Sequence, residues 1–263
     1  MKQYKHMIFA LLIAVLFAGL IPAQAQGNQS LPLTPNIGTT FPKKTFPTFT
    51  FTAVSGASMY KLRVIDDANI LLLDMFVSPQ SCVNGVCTVP SPMWFKRVGN
   101  FRWRVVTQFA NGSTTEGPEE YFHIYPAFAV QMLFRVNQAR CAQGMMPVAL
   151  NLPLFKAAQR HSMDMAYHNW FSHDGTDGTN PWVRISQAGY RGTATGENIS
   201  AGQMYADDAF NAWMNSAGHR ANIMNPNATE MGIALIGNNN ATYRYYWTQN
   251  FGYGNSGIPG RCP

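Results

Sequence analysis

The spacing of apolar and polar residues changes near Tyr125 and divides the chain in two. Between about residues 35 and 123, short runs alternate apolar with polar (TFTFTA, MYKLRVID, NILLLDMFV, NFRWRVVTQF) and are separated by Gly, Asn, Pro and Asp. A period of two punctuated by turn residues predicts β-strands. Phe101, Trp103 and Val105 fall on one side of the last run, and Arg102, Arg104 and Val106 on the other. One face then packs on a core while the other meets solvent, as in an all-β sandwich. His123, between Phe122 and Ile124 in the closing run, is expected to face solvent.

Beyond Pro126 the spacing turns helical, first at Val130, Leu133, Phe134 and Asn137, then at Leu154, Ala158, His161, Met165 and Ala166. Asn151 ahead of Pro153 reads as a helix N-cap. A third helix has Asn180 as N-cap, Pro181 at its first position and Gly189 as its left-handed stop. A fourth runs from about Tyr205 to Asn215, followed by two strands, MGIALIG from Met231 and YRYYWTQNFG from Tyr243. Helices preceding a short antiparallel sheet make this half α+β.

The first residues carry a different pattern: Lys2 and Lys5, fourteen mostly apolar residues from Met7 to Leu20, and Ala23-Gln24-Ala25. That is the layout of a secretory signal peptide, too short in its apolar part for the roughly 20 residues of a membrane helix. The expected organisation is a signal peptide over 1–25, a linker over 26–34, a β-sandwich over 35–125 and a second domain over 126–263. SGASMYKLRV, GNFRWRVV and EEYFHI, in that order, give the sandwich a resemblance to fibronectin type III or immunoglobulin-like modules. No membrane span is expected, and a secreted location, periplasmic or extracellular, fits best.

The formal charge of +6 loses Lys2 and Lys5 with the signal, and beyond the pair Lys43–Lys44 no basic run remains. Nucleic acid is therefore not an expected partner. Four cysteines in an exported chain point to disulfides, with three pairings open. Cys82 and Cys87 flank VNGV, whose Asn84-Gly85 is a strong hairpin-turn signal, so these two should pair. Cys141 and Cys262 are then left to each other.

Candidate chemistry concentrates between Trp170 and Trp247, in FSHDG, TGENIS and WMNSAGHRANIMNP, which hold His173, Glu197 and His219. Only 12% of the chain is charged, so three titratable groups among aromatics stand out. Two imidazoles and a carboxylate form the ligand set of many open zinc sites, which admits Zn2+ or another divalent cation as cofactor. A metal-bound water could then drive hydrolysis. Alternatively, both histidines hydrogen-bond to Glu197 and hold two loops together without metal or turnover. Ser172, Ser200 and Ser216 lie near these residues in sequence, and Ser216 close to His219 is the candidate nucleophile and base, although no GxSxG elbow surrounds it.

FRVNQARCAQG, AAQRHSMDMA, FSHDG, TGENIS, WMNSAGHRANIMNP, EMGIAL and YWTQNFG follow one another over about residues 130–252. In that order they resemble the bacterial branch of the CAP superfamily (cysteine-rich secretory proteins, antigen 5 and pathogenesis-related 1 proteins). The resemblance implies an α-β-α sandwich whose cavity carries two histidines and two acidic residues. His173, Glu197 and His219 match three of them, while Ser216 stands where the second acid is expected. Members that carry sterols or fatty acids extend the expected partners to a small hydrophobic ligand or an envelope component. The expected function is binding of a lipid, peptide or glycan-derived ligand in a His/Glu-lined cleft, with a secreted metal- or serine-dependent hydrolase as the alternative. His161 and His168 read as packing or helix-surface residues. Met132, Met145, Met146, Met163 and Met165 read as core filler, and Trp170, Trp182, Trp213 and Trp247 as cleft or core walls.

Overall fold

A computed structural model describes residues 28–35, 39–42, 45–93, 95, 97–254 and 260–263. The expected signal peptide, the start of the expected linker and Lys43–Lys44 lie outside the described residues.

The first half is built of strands: β1 (Pro32–Thr34), β2 (Thr39–Pro42), β3 (Thr48–Thr52), β4 (Ala57–Asp66), β5 (Leu71–Val77), β6 (Cys82–Val83), β7 (Val86–Pro90), β8 (Gly99–Phe109), β9 (Thr114–Glu116) and β10 (Glu120–Tyr125). One sheet has the order β1-β3-β7-β6, and the other β2-β10-β8-β4-β5 with β9 added along β8. Alternation does what the pattern requires. Phe101, Trp103 and Val105 are buried and pack with Phe49, Phe51, Leu62, Val64 and Phe122 between the sheets. Asn84 and Gly85 both adopt positive φ, 51° and 78°, and the hairpin they make sets Cys82 opposite Cys87, which are disulfide-bonded.

The second half contains α1 (Ala127–Ala142), β11 (Ala149–Leu150), α2 (Leu152–His168), α3 (Pro181–Gln187), β12 (Thr193–Ala201), α4 (Ala206–Met214), α5 (Ala217–Ile223), β13 (Glu230–Gly237) and β14 (Tyr245–Tyr253). Asn151 and Asn180 cap α2 and α3 with their side chains, each ahead of a proline in the first turn. The sheet order is β11-β13-β14-β12, which leaves β12 at an edge. Helices cover both faces. Met231, Ile233, Trp247 and Phe251 pack on α1, α4 and α5, and Ile199 and Tyr246 pack on Met165 and Ala166 of α2. At Gly232 an added Cβ would come within 2.0 Å of the backbone of Leu154, so α2 lies directly on the sheet. Cys141 at the end of α1 is joined to Cys262. Among the described residues no helix is long and apolar enough to cross a membrane.

Three sequence expectations are corrected here. The buried face of α1 is Ala129, Met132, Val136, Asn137 and Arg140, so of the four positions read as its helical stripe Asn137 is buried, Val130 and Leu133 are only partly covered and Phe134 is exposed. Met132 and Met165 are core, but Met146 and Met163 are exposed, as are Trp170 and Trp182, while Trp213 and Trp247 are buried. His123 does not face solvent: it is 1% exposed, because the outer face of β10 is covered by the second half of the chain.

Burial pushes the His123 pKa down from 6.5 to about 4, disfavouring the charged ring. The unfolded chain therefore takes up this proton first as pH falls. The His123 contribution leaves stability intact above about pH 6.5 and erodes it between pH 6.5 and 4, by about 2–3 kcal/mol at pH 4.5. Urea unfolding at pH 7 and 4.5 should show this loss in the wild type and a clearly smaller one in His123→Gln. Equal losses in the two proteins would refute it.

Candidate functional site

Four neighbouring elements converge on the edge strand β12. Its successive side chains point to opposite faces, so Glu197 is directed toward α2 and α3 while Asn198 is directed toward α5. Gly196 makes the α5 contact possible, since an added Cβ would come within 2.6 Å of Asn222. Asn222 donates to the Glu197 carbonyl (3.1 Å) and to Asn198 Oδ1 (2.8 Å), and Asn198 donates to the His219 carbonyl (3.2 Å). These bonds fix the helix that carries His219.

On the other face, Glu197 is buried, with its side chain 2% exposed, and is clamped by Arg184 of α3. Arg184 Nη2 donates to Oε2 at 2.9 Å and to Oε1 at 3.1 Å, and the same guanidinium reaches the carbonyls of His173 (2.8 Å) and Thr179 (2.6 Å). His173 Nδ1 lies 2.9 Å from Glu197 Oε1. Because a carboxylate only accepts, Nδ1 donates, and the opposite edge of the ring, Nε2, is left for a partner. The His173 side chain is 49% exposed. Asn250, in the amide orientation that satisfies it, donates to Oε2 at 3.0 Å.

His161, fully buried on α2, donates Nε2–H to the Ser172 carbonyl at 2.9 Å and stands 4.0 Å from Glu197 Oε1. Burial is the largest influence on its pKa and lowers it, against the pull of Glu197. The pKa of His219 is also lowered, by burial first and then by the charge of His173. Asp164 of α2 shapes the same loop by accepting from Thr176 N at 2.8 Å and Thr176 Oγ1 at 2.5 Å. Burial alone would raise its pKa, but these bonds and His168 bring it below the usual carboxylate value.

The structure thus brings His173 and Glu197 into contact, while His219 is carried on α5, which Asn198 and Asn222 tie to β12. Ser216 caps the start of α5, one helical turn before His219, without a side-chain capping bond. Ser172 Oγ accepts from Asp174 N and Ser200 Oγ donates to Gln203. Among the described residues no hydrogen bond joins any of these three serines' hydroxyls to a histidine ring. The three-ligand metal set of His173, Glu197 and His219 does not fit. Both Glu197 oxygens are committed to Arg184, His173 and Asn250, and no group of three or more His, Cys, Asp or Glu among the described residues is arranged to hold an ion.

Residues 133–251 match the family described as the Cysteine-rich secretory protein family, CAP. The chain carries a CAP domain. Residues of this domain align with two curated proteins of Bacillus subtilis. The uncharacterized protein YkwD is 32% identical over 139 residues, covering 53% of this chain and 51% of the relative. The uncharacterized membrane protein YlbC is 29% identical over 133 residues, covering 51% and 36%. The chain therefore spans about half or less of the length of these relatives. Among solved structures, an extracellular protein containing a SCP domain from Bacillus anthracis is similar at 16% identity, covering 97% of this chain and 100% of its own, with a TM-score of 0.44.

Arg184, on which the sequence reading is silent, and His161, which it reads as a packing or helix-surface residue, stand beside Glu197. Pro181, Arg184 and Ile185 share one helical face and are all buried, so an arginine at a core position of an apolar helix was the available signal.

Proposed function

We propose that the CAP domain is an exported binding module that takes an amphiphilic, envelope-derived ligand at the edge of β12 and does not turn it over. The outer edge of the His173 ring and His219 supply the polar contacts. The carrying observation is the state of Glu197: all of its near acceptor positions are filled by Arg184, His173 and Asn250, which suits orienting His173 rather than holding a cation. An apolar part of the ligand has a ready platform. The Trp170 indole is 49% exposed and donates to the Asp174 carbonyl at 2.9 Å, so it lies against the loop that presents His173. Phe171, 45% exposed, packs on Tyr243 beside it. Export is supported by the lysine-flanked apolar start of the chain and by four cysteines that all form disulfides.

Titrating labelled protein with soluble muropeptides and with a medium-chain fatty acid should shift the His173, His219 and Trp170 resonances for at least one of them. His173→Ala should weaken that binding about tenfold or more, the loss of one well-placed hydrogen bond. Unchanged affinity in His173→Ala would overturn the site. Hydrolysis of a fluorogenic ester or peptide by the wild type that disappears in Ser216→Ala would overturn the non-catalytic reading.

A further inference from the structure

A cavity lies where the β-sandwich meets the CAP domain, and it shares no residue with the His173 site. Its volume is about 180 Å³, and it is lined by Thr40 and His123 of the sandwich, by Val130, Leu133 and Phe134 of α1, and by Leu150 among others. The partly covered face of α1 is thus one wall of this cavity. The polar lining is already satisfied at Asn137, whose amide accepts from Val148 N and donates to the carbonyls of Val148 and Arg261.

His123 is different. Its Nδ1 lies 2.8 Å from Asn100 Oδ1, an acceptor, so Nδ1 carries the proton and Nε2 is a bare lone pair. That Nε2 is buried and has no hydrogen-bond partner among the described residues, on a ring that is 1% exposed and lines the cavity. An unmade bond to a buried acceptor costs about 1–3 kcal/mol, so native structures rarely leave one without a purpose. Burial also keeps the ring uncharged near neutral pH, which preserves the acceptor.

We propose that this junction is a binding site for a single-ring aromatic carrying one O–H or N–H donor, of the phenol class. The donor satisfies His123 Nε2, while the ring fills the space between Val130, Leu133, Phe134 and Leu150. At about 180 Å³ the space has room for one ring, since an apolar cavity of about 150 Å³ accommodates benzene. The donor requirement sets the orientation.

The full mature chain should be titrated with phenol and with toluene, a donor-free analogue of similar size, and followed by NMR at Leu133, Val148 and the His123 ring. The expected result is saturable binding of phenol at these resonances, about tenfold tighter than toluene. In His123→Phe the preference for phenol should vanish. Leu133→Trp, which fills the cavity from α1 and leaves His123 intact, should abolish binding of both probes and serves if the first variant does not fold. Absence of phenol binding, equal affinity for phenol and toluene, or phenol shifts confined to His173 and Trp170 would overturn the proposal.

Discussion

Arg184→Met is expected to lower the unfolding free energy by about 3–5 kcal/mol, the usual cost of stripping one partner from a buried ion pair. Both side chains of the Arg184–Glu197 pair are 2% exposed, and water cannot replace the lost guanidinium. The same substitution strands the carbonyls of His173 and Thr179, so the loop between α2 and α3 loosens as well. Removing both charges in Arg184→Met/Glu197→Gln should cost less than removing Arg184 alone, because the isolated carboxylate is gone. Urea denaturation of the wild type, both single variants and the double variant measures this. A double variant as unstable as the sum of the singles would show that the two groups do not act as a pair.

Opening the disulfide between Cys141 and Cys262 should have an effect of similar size. It closes a sequence separation of 121 residues, for which the chain-entropy model gives about 4–5 kcal/mol. The Cys82–Cys87 bridge, with a separation of 5, is expected to contribute about 2 kcal/mol in the same model. Urea midpoints of Cys141→Ser/Cys262→Ser and Cys82→Ser/Cys87→Ser, compared with the wild type, should fall in that order. The reverse order would refute loop length as the dominant cause. The long closure also holds Arg261 against Asn137, so its removal should weaken phenol binding at the domain junction.

Much of the architecture was legible because it rests on local rules. Alternation at Phe101, Trp103 and Val105, the Asn-Gly turn between Cys82 and Cys87, and the caps at Asn151 and Asn180 each depend on a few adjacent residues. Failures came where a second layer decides. His123 follows the alternation of an exposed position, yet α1 and the chain near Cys262 cover it. TGENIS reads as a site motif and is also part of β12, which a strand carrying Gly, Glu and Asn does not announce by apolar alternation.

The site divides in the same way. His173, Glu197 and His219 were conspicuous as rare titratable residues in polar motifs. Their roles could not be read without knowing that Arg184, 13 residues before Glu197, occupies the carboxylate. A metal-ligand set and an orienting ion pair use the same histidines and the same glutamate. A guanidinium at 2.9 Å separates them, and it becomes visible only once α3 has packed against β12.

The central claim is that a carboxylate pinned by Arg184 orients His173 with its proton on Nδ1 and its Nε2 open to a partner. Imidazole nitrogen-15 shifts of His173, recorded at alkaline pH, test this directly. The account predicts a protonated Nδ1 and a bare Nε2 in the wild type, with that preference weakened in Glu197→Gln. A proton found on Nε2, or the same tautomer distribution in both proteins, would contradict it.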